Sequence, residues 1–388
     1  MRILFINDMY TVGGATMALK ELLLRLKADG HEPIVCTSVH DSFNDFLDAN
    51  GIQNLPDGHI SVMDVTRRLL RHSSLYFHYR KRQYQAAMQH ALELIPQRID
   101  MHSIDLIHTN SIRNDEGCFL SQKYRIPHVM HIREFGAEDF ACSVFAPDYY
   151  ASLNGRCDVL LAVSEAVRRS SIRKGVLPEK VQTLYDGVVF DGFSVKEQNT
   201  LTEGKLRVVI VGGVCETKGQ HIAVQALGAL PEEIRRHVTL DIIGWEGRIY
   251  RSLLDCMIHV LHLEQQVRFL GTRDDIGQLL AGYNIGLMCS KSEGFGRVTA
   301  EYMYAGLGVI AADTGASPEL VCNGKTGLIY HRDDPKSLAD RITQLYRDPA
   351  LRSRLSRNAH RAAERRFSAE INYQKTLEVY RKVLAGAV

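Results

Sequence analysis

The chain has 388 residues, 47 Lys+Arg against 45 Asp+Glu, 45% hydrophobic and 24% charged residues. This is the make-up of a globular protein of two to three domains with sizeable cores. A net charge of +2 excludes a global pull on nucleic acid, so any anion site must be local. No apolar run reaches the roughly 18 residues of a membrane-spanning helix, and Asp8 interrupts the opening segment before it can act as a secretory signal. A cytoplasmic chain is expected. The eight cysteines contain no C-x-x-C pair, which predicts reduced, packed thiols.

In chain order, short apolar and β-branched runs at 3–6 and 34–37 predict the first two strands. Residues 65–92 then contain no acidic side chain. There Arg67, Arg68, Arg71, Arg80, Lys81 and Arg82 surround Leu69, Leu70, Leu75, Tyr76, Phe77 and Tyr79. Basic heads around apolar bodies suit an anionic membrane surface, and they equally suit a solvated helix kept soluble by its charge. Further strands are predicted at 106–108, 128–132, 159–163 and 181–184. After the polar stretch 194–205 a second series follows at 207–211, 238–243, 267–270, 285–288 and 309–311. Two helices at 349–366 and 368–384 close the chain, the second with an apolar side made by Ile371, Leu377, Val379, Tyr380 and Val383. Two parallel-sheet α/β units in tandem are expected. Gly212, Gly244, Gly271 and the 290–296 loop fall just after strands of the second unit, at the carboxyl edge where such sheets bind ligands.

The most specific motif is Ser292-Glu293-Gly294-Phe295-Gly296-Arg297-Val298-Thr299-Ala300-Glu301. Gly294 and Gly296 let the backbone approach a ligand closely, and the following helix start offers N–H groups to phosphate oxygens. Two carboxylates beside an anion site make sense if each accepts hydrogen bonds from sugar hydroxyls, which points to a nucleotide-sugar. The adjacent pair Gly13-Gly14 follows the first strand, but its flanks Val12 and Ala15 break the G-x-G-x-x-G spacing, which disfavours an NAD enzyme.

This decapeptide resembles the signature of the retaining, family 4 (group 1) glycosyltransferases of the GT-B fold. So do the segment 211–220 (Val-Gly-Gly-Val-Cys-Glu-Thr-Lys-Gly-Gln), the strand 267–271, the turn Gly315-Ala316-Ser317-Pro318-Glu319, and Gly30-His31, Val163-Ser164-Glu165 and Asp186-Gly187-Val188. The resemblance covers nearly the whole chain. It implies two Rossmann-like domains facing across a cleft, with residues 1–190 binding acceptor, 191–365 binding the donor, and 366–388 forming a helix that crosses back to the first domain. It implies transfer of a hexose-type sugar from a UDP- or GDP-sugar to a hydroxyl of a carbohydrate or lipid-linked acceptor, as in surface polysaccharide or glycolipid synthesis.

By the same resemblance Lys218 neutralises the donor diphosphate, Glu293 binds the transferred sugar, Glu301 binds the ribose, and His131 lies near the donor sugar as a neutral imidazole without a strongly shifted pKa. Gly13, Gly14, Gly212, Gly213, Gly271, Gly294, Phe295, Gly296 and Arg297 complete the implied donor site. The family pairs the lysine with an arginine five residues earlier. Gly213 stands there, and Arg297 is the substitute at hand. No Asp-x-Asp motif lies near a strand end, so no metal or other cofactor is expected. The missing arginine also motivates an alternative, a catalytically silent nucleotide-sugar-binding subunit; an epimerase of related fold is a third option without visible motifs of its own.

Overall fold

The computed structural model describes residues 1–7, 13–64, 74–136, 143–146, 148–196, 199–201 and 203–387. They form two compact units, one of Met1–Gly187 with Ala369–Val388 and one of Val188–Ser368.

In the first unit seven strands form one sheet in the order β3-β2-β1-β5-β6-β8-β9. They are β1 (Arg2–Asn7), β2 (Glu32–Thr37), β3 (Gln53–Pro56), β5 (Leu106–Thr109), β6 (His128–Ile132), β8 (Val159–Ala162) and β9 (Val181–Thr183). Every pair is parallel. A two-stranded antiparallel ladder joins β4 (Met63–Asp64) to β7 (Ser143–Val144). Helices cover both faces, so the central strands are buried along their length rather than alternating, as the patterns of β1, β5, β6 and β8 show. Ile3 and Phe5 of β1 pack with Leu19, Leu22, Leu23 and Leu26 of helix Gly14–Ala28 and with Leu377 and Tyr380 of helix Ala369–Leu384. Leu4 and Ile6 point the other way, toward Ala91, Ile95 and Leu120.

The terminal helix is fastened to this unit by polar contacts as well. Tyr373 Oη donates to Asp29 Oδ2 at 2.6 Å, and Asn372 Nδ2 donates to the Tyr185 carbonyl at 2.7 Å.

The second unit holds a six-stranded parallel sheet, β12-β11-β10-β13-β14-β15. Its strands are β10 (Leu206–Val211), β11 (Val238–Ile243), β12 (Val267–Phe269), β13 (Ile285–Met288), β14 (Gly308–Ala312) and β15 (Leu328–Tyr330). Its core is aliphatic, built on Val208, Ile210, Leu240, Ile242, Leu287 and Ile310.

The apolar runs locate eleven of the thirteen strands of the two large sheets to within a residue or two, and none of the short β4–β7 ladder. They miss β3 and β15, because Gln-Asn-Leu-Pro and Leu-Ile-Tyr lie at sheet edges, where a strand needs no long apolar run. Among the described residues no helix is long and apolar enough to cross a membrane. Of the basic segment, Arg67, Arg68 and Arg71 lie outside the described residues. Arg80, Lys81 and Arg82 sit on helix Ser74–Arg98, whose Leu75 and Tyr79 are exposed.

Candidate functional site

An open parallel sheet binds ligands beyond its carboxyl edge, where the strand order reverses. In the second unit that point lies between β10 and β13, and the loops leaving these two strands carry the strongest motifs. After β10 the chain passes Gly212 and Gly213, makes a single 3-10 turn over Glu216–Lys218, and reverses at Gly219, whose φ of 70° favours glycine. A Cβ on Gly219 would overlap the Cys289 carbonyl. This close approach brings Lys218 beside the end of β13.

From the other side, Gly315 has φ 54° and no room for a Cβ against the Glu293 backbone. The turn after β14 therefore closes under Glu293, and the Ala316 N–H donates to the Glu293 carbonyl at 2.9 Å. The two loops meet where Lys218 Nζ donates to Glu293 Oε2 at 2.9 Å, with the lysine side chain 38% and the carboxylate 17% exposed. A second pair, Lys291 with Glu216 at 2.7 Å, ties the same loops together.

The structure thus brings together Lys218, Gly212 and Glu293; the lysine stem lies 3.9 Å from where a Cβ on Gly212 would stand. Helix Arg297–Tyr304 starts immediately after, with Gly296 as an N-cap that makes no side-chain cap hydrogen bond. Arg297 and Glu301, four residues apart, share one face of that helix and are both half-buried. Gly271 ends β12 on the same edge, and its carbonyl accepts from the Gly244 N–H at 2.9 Å. The resemblance places Phe295 in the donor site, but its side chain is 5% exposed and meets Phe367 edge-on at 5.5 Å. Its ring belongs to the core, and only its backbone remains for a ligand. Gly213 keeps open space at its Cα, the nearest atom to a Cβ being the Trp245 carbonyl at 4.0 Å.

In the first unit the order reverses between β1 and β5. Gly13 is the N-cap of helix Gly14–Ala28, and no described atom lies within 4 Å of where a Cβ on it would stand. His131 stands on β6 and is 2% exposed; its Nδ1 lies 2.8 Å from His108 Nε2, and its own Nε2 is buried with no hydrogen-bond partner among the described residues. His108 Nδ1 in turn is hydrogen-bonded to the Tyr380 hydroxyl. Burial, aided by the nearby Arg133 charge, pushes both imidazoles well below the ordinary histidine range. Both rings are neutral. The expectation of a neutral His131 with little pKa shift is corrected on the second point, because desolvation in the sheet core is large. His128 faces elsewhere, bonded to Thr109 and the Arg156 carbonyl.

Sequence reasoning missed His108, Tyr380 and the buried pair Arg133–Asp186, whose guanidinium also donates to the Asn110 carbonyl at 3.0 Å. Register explains the first: His108 is level with Val129 on the adjacent strand, so His131 is its diagonal neighbour on the same face. That signal exists only once the strands are paired.

Cys118, His128 and Cys157 lie close enough to share an ion. Their atoms are already engaged: the thiols contact each other at 3.9 Å, and both imidazole nitrogens have protein partners. The contact with Cys157 and burial raise the Cys118 thiol pKa well above its ordinary range. The cluster is core packing, and the described cysteines are free.

Comparison with known proteins agrees with this fold. Residues 12–191 match the model of Glycosyltransferase Family 4, and residues 193–362 match that of Glycosyl transferases group 1. The N-acetyl-α-D-glucosaminyl L-malate synthase of Bacillus anthracis is 28% identical over 234 residues, covering 58% of this chain and 60% of that protein. Two crystal structures of Anabaena HepE are similar in fold. The complex with UDP has a TM-score of 0.81 at 23% identity, and the complex with UDP-glucose 0.78 at 24%; each covers 98% of this chain and 100% of the other. The two family matches together span almost the whole chain, each on one of two Rossmann-like parallel sheets, so this chain belongs to the group 1, family 4 glycosyltransferases of the GT-B fold.

Proposed function

We propose that the chain is a retaining glycosyltransferase that moves a hexose-type sugar from a UDP- or GDP-sugar to a hydroxyl acceptor. The carrying observation is the Lys218–Glu293 pair at the point where the second sheet reverses its order. A cation and a carboxylate held side by side on glycine-rich loops match a ligand in which phosphates adjoin a sugar. Lys218 turns from Glu293 to the diphosphate and stabilises the charge that builds on the leaving group. Glu293, released, accepts hydrogen bonds from the transferred sugar; Glu301 does the same for the ribose, and Arg297 adds a cation beside the helix start. His131 hydrogen-bonds the transferred sugar.

No side chain in this set has a clear claim to be a general base. A front-face route fits, in which the departing phosphate takes the acceptor proton within a short-lived oxocarbenium pair. Catalysis then consists of positioning and leaving-group stabilisation, without a metal. HepE was crystallised with UDP and UDP-glucose, which makes UDP-glucose the first donor to try. The acceptor is a carbohydrate or lipid-linked hydroxyl in surface polysaccharide or glycolipid synthesis, met in the cytoplasm or at the inner membrane face.

The test is a mass-detected transfer and donor-hydrolysis assay over UDP- and GDP-hexoses, with anomeric configuration read by NMR. Net inversion in the product refutes the retaining mechanism. Gly213, where an arginine is missing, favours a second reading as a silent binding subunit; tight donor binding with neither transfer nor hydrolysis on any donor supports that reading instead.

A further inference from the structure

The loops that carry Lys218 and Glu293 leave the carboxyl edge of the second sheet. At the opposite, amino edge the same unit holds a cleft of ≈ 190 Å³, lined in part by Lys196, Asn199, Ser353, Ser356, Arg357 and Arg361. One wall is helix Pro349–Phe367, on which Ser353, Arg357 and Arg361 follow one another a turn apart. The other is the segment that enters the unit. There the Lys196 N–H donates to the Ala305 carbonyl at 3.0 Å and Asn199 Nδ2 to the Asn284 carbonyl at 2.8 Å, just before β14 and β13. Gly306, at φ 78°, permits this approach, since a Cβ on it would stand 2.9 Å from the Lys196 carbonyl.

The cleft is cationic. Its described lining includes Lys196, Arg357, His360 and Arg361 and contains no Asp or Glu. Arg357 and Arg361 have no hydrogen-bond or ion-pair partner among the described residues, and two like charges one helical turn apart repel. Lys196 Nζ donates to the Tyr283 carbonyl at 3.0 Å, which leaves the rest of its ammonium without a protein acceptor. Behind them Arg352, only 1% exposed, donates to the Asn199 and Leu345 carbonyls at 3.0 and 2.6 Å rather than to a carboxylate. Asp348, whose charge acts on Arg352, spends its carboxylate on the Leu351 N–H. Burial, then the fields of Arg207 and Arg352, push the Lys196 ammonium below its ordinary pKa range. His360 is engaged elsewhere, its Nδ1 with the Tyr304 carbonyl at 2.5 Å and its Nε2 3.6 Å from Glu364.

Cations that lack counter-charges and surround a walled space are stabilised by an anion that enters it. We propose that this cleft is a second anion site, separate from the Lys218 loops, which takes a phosphate group carried by a soluble ligand or by a lipid headgroup. The size suits a phosphate with a few waters: a water occupies about 30 Å³, and pockets for larger organic ligands start at about 300 Å³. The donors suit it as well. Two guanidinium forks and an ammonium match the several oxygens and double charge of a phosphate, whereas a carboxylate saturates one fork and leaves the other cations unpaired. Ser356 Oγ already accepts from Asn199 Nδ2 at 2.8 Å, so its O–H is left to donate.

The test titrates the full-length chain with inorganic phosphate by calorimetry at constant ionic strength. Saturable binding is expected, kept in Lys218→Met and weakened by about tenfold in Arg357→Gln/Arg361→Gln. Arg354→Gln/Arg365→Gln removes the same charge from exposed positions of the same helix outside the cleft, and should stay within about twofold of wild type. Lys196→Met, on the opposite wall, should weaken binding several-fold and keeps the test decisive if the arginine pair disturbs folding, which circular dichroism reports. Equal losses in the two arginine pairs, or a loss confined to Lys218→Met, overturns the proposal.

A second arm measures cosedimentation with phosphatidic acid vesicles. Soluble phosphate bound with the stated dependence on Arg357, Arg361 and Lys196 assigns the site to a soluble ligand. Vesicle binding with that same dependence, and no binding of inorganic phosphate, assigns it to a lipid headgroup. Neither phosphate nor vesicles bound through these residues overturns the site altogether.

Discussion

Replacing Lys218 by Met keeps the aliphatic stem over Gly212 and deletes only the charge, so it isolates what the ammonium does. With donor bound, a cation about 4 Å from a phosphate charge interacts with it by about 4 kcal/mol at an effective dielectric of about 20. The lysine is 38% exposed, and solvent screening brings this to about 2–3 kcal/mol. A loss of that size lowers kcat/KM by about 100-fold. The substitution also leaves Glu293, only 17% exposed, unpaired and facing the diphosphate, so UDP affinity falls as well. Adding Glu293→Gln removes that repulsion, and the double variant is expected to regain about tenfold in UDP affinity over Lys218→Met while staying slow in turnover. Titration calorimetry with UDP and steady-state UDP release from UDP-glucose check both parts. A Lys218→Met enzyme within about threefold of wild type in kcat/KM and in UDP affinity would refute the reasoning.

Gly213→Arg has room for its Cβ, the nearest described atom being the Trp245 carbonyl at 4.0 Å, and is expected to tighten UDP binding by about tenfold by restoring a second cation; unchanged affinity argues that Arg297 already fills the role. Gly219→Ala combines a left-handed backbone with an overlap on the Cys289 carbonyl and should cost about 3 kcal/mol or more, read as a lower denaturation midpoint. Burial pushes the Glu116 carboxyl from 4.5 up to about 8, so the unfolded chain ionises first and stability drains away as pH rises from about 4.5 to 8, by at most about 5 kcal/mol. Glu116→Gln should therefore raise Tm at pH 8 much more than at pH 5, and an equal gain at both values contradicts the assignment. Charge reversal of Arg80, Lys81 and Arg82 to Glu should abolish cosedimentation with anionic phosphatidylglycerol vesicles and leave UDP binding unchanged; retained cosedimentation removes this helix from any membrane contact.

The amino-acid sequence by itself determined the two large parallel sheets, most of their strands and the glycine-flanked acids of the second unit. These are local signals: an apolar run long enough for a strand buried on both faces, and residue types whose spacing fits a strand, a tight turn and a helix start. Tertiary structure alone decided which loops meet. Lys218 and Glu293 are 75 residues apart, and their contact depends on parallel pairing of β10 with β13 and on two glycines letting backbones touch. It also moved the Phe295 ring into the core. The His108–His131–Tyr380 row spans 272 residues from His108 to Tyr380 and follows from strand register and the seating of the last helix. Short-range chemistry writes strands and turns into the chain, whereas hydrogen bonds between distant side chains exist only after the backbone has closed the loops between them.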